Sequence, residues 1–73
     1  MKADLKKRIE KVLIDQYYYV REDMPGDWDA EDALSLVCDQ AGPFEGDDRI
    51  AFETLSWKQI KKHFLPCIKE LHD

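Results

Sequence analysis

Apolar residues recur at helical spacing in the first segment of the chain. Between residues 3 and 20, at about 100° per residue, they form one broad stripe, and basic side chains occupy the flanks and back as on a solvated face. A helix is therefore predicted over residues 3 to 20. Pro25 and Gly26 end it, because proline cannot continue a helix and glycine frees the turn. The stripe consists of Leu5, Ile9, Val12, Leu13, Gln16 and Val20.

Two further segments also have helical periodicity. The second helix is predicted from residue 27 or 29 to residue 41, where Gly42 and Pro43 stop it, and alanines on its apolar side predict close approach of a neighbouring helix. The last helix begins at Ser56, with Gln59 three positions on as in a capping box. Pro66 lies inside that pattern, so we expect a kink near residues 62 to 65 or two short helices.

Residues 49 to 55 are ambiguous. Ile50, Phe52 and Thr54 alternate with the residues between them, which weakly favours a strand. A lone strand leaves backbone groups unpaired, so it would need residues 17 to 22 or a second chain; otherwise residues 47 to 54 form a short helix. The predicted fold is therefore mainly α, a single domain of three to four helices over residues 1 to 73, with a short β element near 49 to 54 as the alternative.

Length and charge add a functional expectation. A chain of 73 residues buries only about 60% of its unfolded surface, so small domains often gain stability from a partner chain. The net charge of −5 opposes nucleic-acid binding, and it is unevenly distributed: residues 15 to 54 carry twelve acids and two bases, whereas both ends are basic. This middle segment either pairs with the ends or forms a surface that attracts basic partners.

The densest acidity lies in residues 21 to 32. Asp27, Asp29 and Glu31 match three calcium-loop positions, but Asp32 replaces the required glycine and Cys38 the required glutamate, which argues against calcium. The acids do suit a helix start, where negative charge and side-chain caps are favoured. This interpretation leaves Trp28 unexplained. It is either a hydrophobic staple or an exposed anchor for a partner.

The candidates for other chemistry are weak. Cys38, His63, Cys67 and His72 have zinc-binding side chains but lack a closely spaced cysteine pair, and a cysteine or serine beside His63 lacks an orienting carboxylate. We therefore expect that the protein binds no metal or cofactor and is not an enzyme. Lys58, Lys62 and Lys69 form a basic stripe on the last helix, but some fourteen residues connect it to helix two, too many for a helix-turn-helix.

A second apolar strip suggests self-association. Ile14 and Tyr18 point away from the core stripe of the first helix, so they either pair two subunits in a homodimer or are ordinary exposed apolar residues. No stretch is long enough to span a bilayer, and Asp15 and Gln16 interrupt the apolar run that a signal peptide would need. We expect a cytoplasmic protein that does not enter membranes.

The function predicted from sequence is that of a protein-binding or regulatory module whose acidic surface, with an aromatic anchor, meets a basic partner. The alternatives are an inhibitor that imitates nucleic acid and a weak DNA-binding helical domain. The residues expected to bind the partner are Trp28, Asp23, Asp27, Asp29, Asp32, Asp47 and Asp48.

Overall fold

A computed structural model describes residues 1–40, 44 and 46–72. They form four α-helices, which confirms the mainly α prediction, and no β-strand occurs among them. The elements in chain order are α1 (Ala3–Val20), a 3-10 turn (Arg21–Asp23), α2 (Ala30–Gln40), α3 (Gly46–Glu53) and α4 (Trp57–His72). None of the described helices has the length and apolar character needed to cross a membrane.

Helices α1, α2 and α4 pack against one another around the core, and the most extensive packing joins α2 to α4. Ala30 and Ala33 are both buried on α2, in agreement with the close approach predicted from its alanines. Ala41, predicted to extend this face, lies outside the described residues. The core cluster consists of Ile9, Leu13, Tyr17, Val20, Ala33, Leu34, Val37, Ile60, Phe64 and Ile68.

The buried face of α1 differs from the predicted stripe at one position. Tyr17 is buried, with 5% of its surface exposed, whereas Gln16 is only half-buried. The tyrosine ring fills the core while its hydroxyl reaches polar partners at the end of α4, namely the carbonyl oxygen of Leu71 at 3.4 Å and Nδ1 of His72 at 3.1 Å. A buried hydroxyl needs such partners, and only the arrangement of helices supplies them.

The strand weakly favoured near residues 49 to 54 is wrong, because residues 49 to 53 belong to α3, and the alternative of a short helix over residues 47 to 54 is confirmed to within one residue at each end. Gly46 begins the helix with φ at +45°, a left-handed conformation that glycine adopts without steric cost. Two acids follow in the first turn, where the helix dipole favours negative charge. Phe52 stacks on Phe44 with ring centroids 4.8 Å apart, whereas Ile50 is 63% exposed, so the alternation does not reflect burial on one face.

Helix α4 begins with the predicted capping box. The backbone N–H of Ser56 donates to Oε1 of Gln59 at 2.9 Å, and the backbone N–H of Gln59 donates to Oγ of Ser56 at 3.2 Å. The helix then runs without a break to His72, so the division into two short helices was wrong. Pro66 has no N–H to donate to the carbonyl oxygen of Lys62. Both residues are exposed, so water can take the place of this missing donor.

Candidate functional site

Part of the charge segregation cancels inside the fold. The Arg8 guanidinium on α1 donates from Nε and Nη2 to both carboxylate oxygens of Asp48 on α3, each at 2.9 Å. These hydrogen bonds lower the pKa of Asp48 below its usual range and raise the pKa of Arg8. Asp48 is thus held by α1, with 15% of its side chain exposed, and it does not offer a free charge to a partner.

A second ion pair joins the acidic middle to the basic C-terminal helix. Nζ of Lys61 on α4 lies 3.2 Å from Oε1 of Glu31 on α2, and the same ammonium lies 5.8 Å from the centre of the Trp57 ring. Lys61 is therefore engaged within the fold, which removes one cation from the neighbourhood of the basic stripe considered for DNA.

The aspartates around Trp28 differ from Glu31. All of these aspartates are exposed, and none lies within 4.0 Å of a cationic nitrogen among the described residues. Oδ1 of Asp29 accepts the backbone N–H of Asp32 at 2.9 Å, so Asp29 caps the start of α2, as predicted. The side chain of Asp32 takes no part in this cap. The aspartates of this region are Asp23, Asp27, Asp29, Asp32 and Asp39.

Two of the predicted residues line one groove. Trp28, just before α2, and Asp32, in its first turn, border a groove of about 290 Å³ together with Ser35, Leu36 and Asp39. Asp39 was missed from the sequence, although it lies seven residues after Asp32 and so two turns further along one helix face. Asp47 is exposed on α3, which packs mainly against α1, and it does not line this groove.

The backbone of Trp28 is fastened to the body of the protein. Its N–H donates to the carbonyl oxygen of Pro25 at 3.2 Å, and its own carbonyl oxygen lies 2.7 Å from Nε2 of His72. Because a carbonyl only accepts, Nε2 must carry the hydrogen. In the neutral ring, Nδ1 then accepts the hydroxyl proton of Tyr17. His72 thereby links the segment before α2 to both α1 and α4.

The side chain of Trp28 has a different environment from its backbone. It is half-buried, and it is not one of the described apolar side chains that pack against the core cluster. Its contacts therefore do not support a role as a hydrophobic staple that packs into the core. The indole instead forms part of the groove wall, where a ligand can reach it.

The two residues predicted for self-association differ in their exposure. Tyr18 is 50% exposed and Tyr19 is 81% exposed, whereas Ile14 is half-buried. The Arg21 guanidinium lies 5.2 Å from the centre of the Tyr18 ring, a distance that permits a cation–π contact. The expected exposure of Tyr18 is confirmed.

The cysteines are poorly suited to nucleophilic chemistry. Cys38 on α2 and Cys67 on α4 are both free thiols and half-buried. Burial raises the pKa of Cys38 to about 12 and also raises the pKa of Cys67, while Sγ of Cys67 donates to the carbonyl oxygen of Phe64 at 3.0 Å. Within the described part of the chain, no three histidine, cysteine or acidic side chains come together as metal ligands.

Comparison with protein-family models, with curated proteins and with solved structures found no match for this chain. A proposal for its function therefore depends on its own residues and their geometry.

Proposed function

We propose that this chain is a small protein-binding module that recognises a basic partner through the acidic surface around Trp28. That surface is defined by Trp28, Asp23, Asp27, Asp29, Asp32 and Asp39. The observation that carries the proposal is a reachable indole beside exposed carboxylates that have no cationic partner among the described residues. Asp47 and Asp48 are left out, because α3 lies against α1 and Asp48 is engaged by Arg8.

The chemistry of this surface favours a cationic protein over other ligands. Unmatched carboxylates accelerate the encounter with a positively charged partner and disfavour phosphate groups. Tryptophan is among the residues that most often dominate binding energy at protein interfaces. Because His72 holds the backbone of Trp28, the anchor is positioned before binding, which reduces the entropy lost on association.

Affinity capture with matched tryptophan variants tests this function. Bait proteins would be the wild type, Trp28→Ala and Trp57→Ala, the last as a control because Trp57 is the other tryptophan and is also partly exposed. A protein retained by the wild type and by Trp57→Ala but lost by Trp28→Ala would be purified and its affinity measured at two salt concentrations. We expect at least about a tenfold weaker affinity for Trp28→Ala, and binding that weakens with salt. Equal recovery on all three baits would reject Trp28 as an anchor.

We also infer that two copies associate through Ile14 and Tyr18. The support is the exposed tyrosine pair on α1, and the limited core of a chain this short favours such association. Light scattering over a range of concentrations tests it, with Tyr18→Ser expected to shift the mass towards the monomer. A wild type that stays monomeric at the highest concentration would remove this part of the proposal.

We also infer that the protein is located in the cytoplasm. The two cysteines are free, as is usual in a reducing compartment. Fluorescence microscopy of a tagged chain in its source cells would test the assignment, and a signal confined to another compartment would contradict it.

A further inference from the structure

We infer that the groove along the outer face of α2 binds a segment of another protein that presents two cationic side chains about 10 Å apart. This inference rests on the proposed function and adds to it the site and the spacing of the partner's charges. The groove is the one lined by Trp28, Asp32, Ser35, Leu36 and Asp39.

The spacing follows from the helix. Asp32 and Asp39 are seven residues apart on α2, which is two turns and a rise of about 10 Å. Ser35 and Leu36 line the groove between them, and Trp28 stands at the end nearest the start of the helix. The groove therefore has a carboxylate towards each end, with the apolar side chain of Leu36 between those charges and the indole of Trp28 beyond Asp32.

Lysine and arginine side chains match this arrangement. Their alkyl stems can lie on Trp28 and Leu36 while their charged ends reach the two carboxylates, and a guanidinium can also stack on the indole. An anionic ligand would be repelled by both aspartates. A purely apolar segment would remove water from two carboxylates without replacing their hydrogen bonds, which is costly.

A single bound metal ion does not fit the same groove. Oxygen ligands lie about 2.3–2.6 Å from calcium, so one ion cannot bridge carboxylates whose backbone positions are two helical turns apart. Both aspartates are exposed and neither forms an ion pair with the described residues. They are therefore available to two separate cations.

The spacing specifies which partner segments can bind. Two basic residues about 10 Å apart on one face are seven positions apart on an α-helix or three positions apart in a polyproline II segment, which has three residues per turn. Two defined peptide pairs represent these cases. Each pair has a peptide with two arginines at the matching spacing and a permutation of identical composition with the arginines adjacent.

Fluorescence titration of these peptides tests the inference. In a Trp57→Phe background, Trp28 is the one tryptophan left in the sequence, so its emission reports on the groove. At low ionic strength we expect one spaced peptide to bind about two- to fivefold tighter than its permutation, because it makes a second cation–carboxylate contact that the permutation cannot make. If neither spaced peptide is preferred, the inference is overturned.

Matched charge variants identify the groove as the binding site. Asp32→Asn with Asp39→Asn removes two charges from the groove, and Asp15→Asn with Asp47→Asn removes two exposed charges on α1 and α3. We expect the first variant to lose the preference for the spaced peptide and the second to keep it. Equal losses in both would show attraction by net charge alone and overturn the inference. Circular dichroism checks the fold, and the single variant Asp39→Asn, outside the first turn of α2, repeats the test if the double variant unfolds.

The same variants separate this inference from the proposed function. If the captured partner needs Trp28 but tolerates loss of Asp32 and Asp39, the module binds its partner by another part of the acidic surface and the groove inference alone fails. If the partner is indifferent to Trp28→Ala, the proposed function fails whatever the peptides do. If the groove variant instead abolishes dimerisation, the occupant is a second copy of this chain and a foreign basic segment is rejected.

Discussion

Replacement of His72 by alanine should destabilise the domain and release the segment that carries Trp28. The ring of His72 contacts the Trp28 carbonyl oxygen at 2.7 Å and the Tyr17 hydroxyl at 3.1 Å. It also packs edge-on against the Tyr17 ring, with centroids 6.0 Å apart. The variant removes all three contacts at once, and they join elements that are distant in sequence.

The size of the effect follows from those contacts. Each hydrogen bond contributes about 0.5–1.5 kcal/mol net, and the hydroxyl of Tyr17 keeps the Leu71 carbonyl oxygen as an acceptor, so it is not left unpaired. We therefore expect the free energy of unfolding to fall by about 2 kcal/mol. A domain of 73 residues has about 4–11 kcal/mol in total, so the melting temperature should fall by about 8–16 °C.

Urea unfolding and Trp28 emission measure the two consequences separately. The unfolding free energy would be compared for wild type, His72→Ala, Tyr17→Phe and the double variant, where we expect a coupling of about 0.5–1.5 kcal/mol. In the Trp57→Phe background, the emission of Trp28 should move to longer wavelength in His72→Ala. His63→Ala serves as the control, because His63 is also half-buried on α4 and its ring lies beside that of Phe64, with centroids 6.0 Å apart.

Two results would refute the role assigned to His72. The first is additivity of the two single variants, which would show that the hydroxyl and the imidazole do not interact. The second is an unchanged Trp28 emission in a folded His72→Ala protein, which would show that the segment before α2 is held by other contacts.

Three further predictions concern the core, the ion pair and the thiols. Phe64 is completely buried, so Phe64→Ala should lose about 3–5 kcal/mol, and its melting temperature, followed by circular dichroism, should fall by at least about 12 °C; a transition near that of the wild type would contradict this. The lowered pKa of Asp48 means that its pair with Arg8 stabilises the fold above the ordinary carboxyl pKa and loses this effect as pH falls through the lowered value. The difference in urea midpoint between wild type and Arg8→Gln should therefore be larger at pH 6 than at pH 2.5, and a constant difference would count against it. With its pKa raised to about 12, Cys38 should react with a disulfide reagent at pH 8 much more slowly in the native protein than in urea, and equal rates would exclude its protection.

Local chemistry made the helix starts predictable from the sequence. Ser56 and Gln59, which form the capping box, are three positions apart, and Asp29 caps α2 through the N–H of Asp32, also three positions on. These contacts depend on neighbours in the chain, so the pattern alone identifies them. The predicted exposure of Tyr18 also follows from one helix, because three consecutive tyrosines cannot share one face.

The features that sequence could not supply depend on how the helices meet. Arg8 and Asp48 are 40 residues apart, and no local pattern pairs them. Tyr17 is buried in preference to Gln16 because His72 and Leu71 come to its hydroxyl from the other end of the chain. The alternation at residues 49 to 55 favoured a strand, but the described residues offer it no neighbouring strand. Asp39 and Trp28 line the same groove, and that shared position depends on the folded structure.

Helix α3 is attached to the rest of the molecule by a few contacts at the surface. None of its residues is buried, and its links to its neighbours include the charged pair of Asp48 with Arg8, the stacking of Phe52 on Phe44 and the tilted packing of Phe52 against Phe64. We expect such a helix to detach while α1, α2 and α4 remain packed, since none of its side chains belongs to the buried core cluster. The amides of residues 46 to 53 should therefore exchange with deuterium through this partial opening, ahead of those in α1, α2 and α4, and faster still in concentrated salt that screens the charged pair.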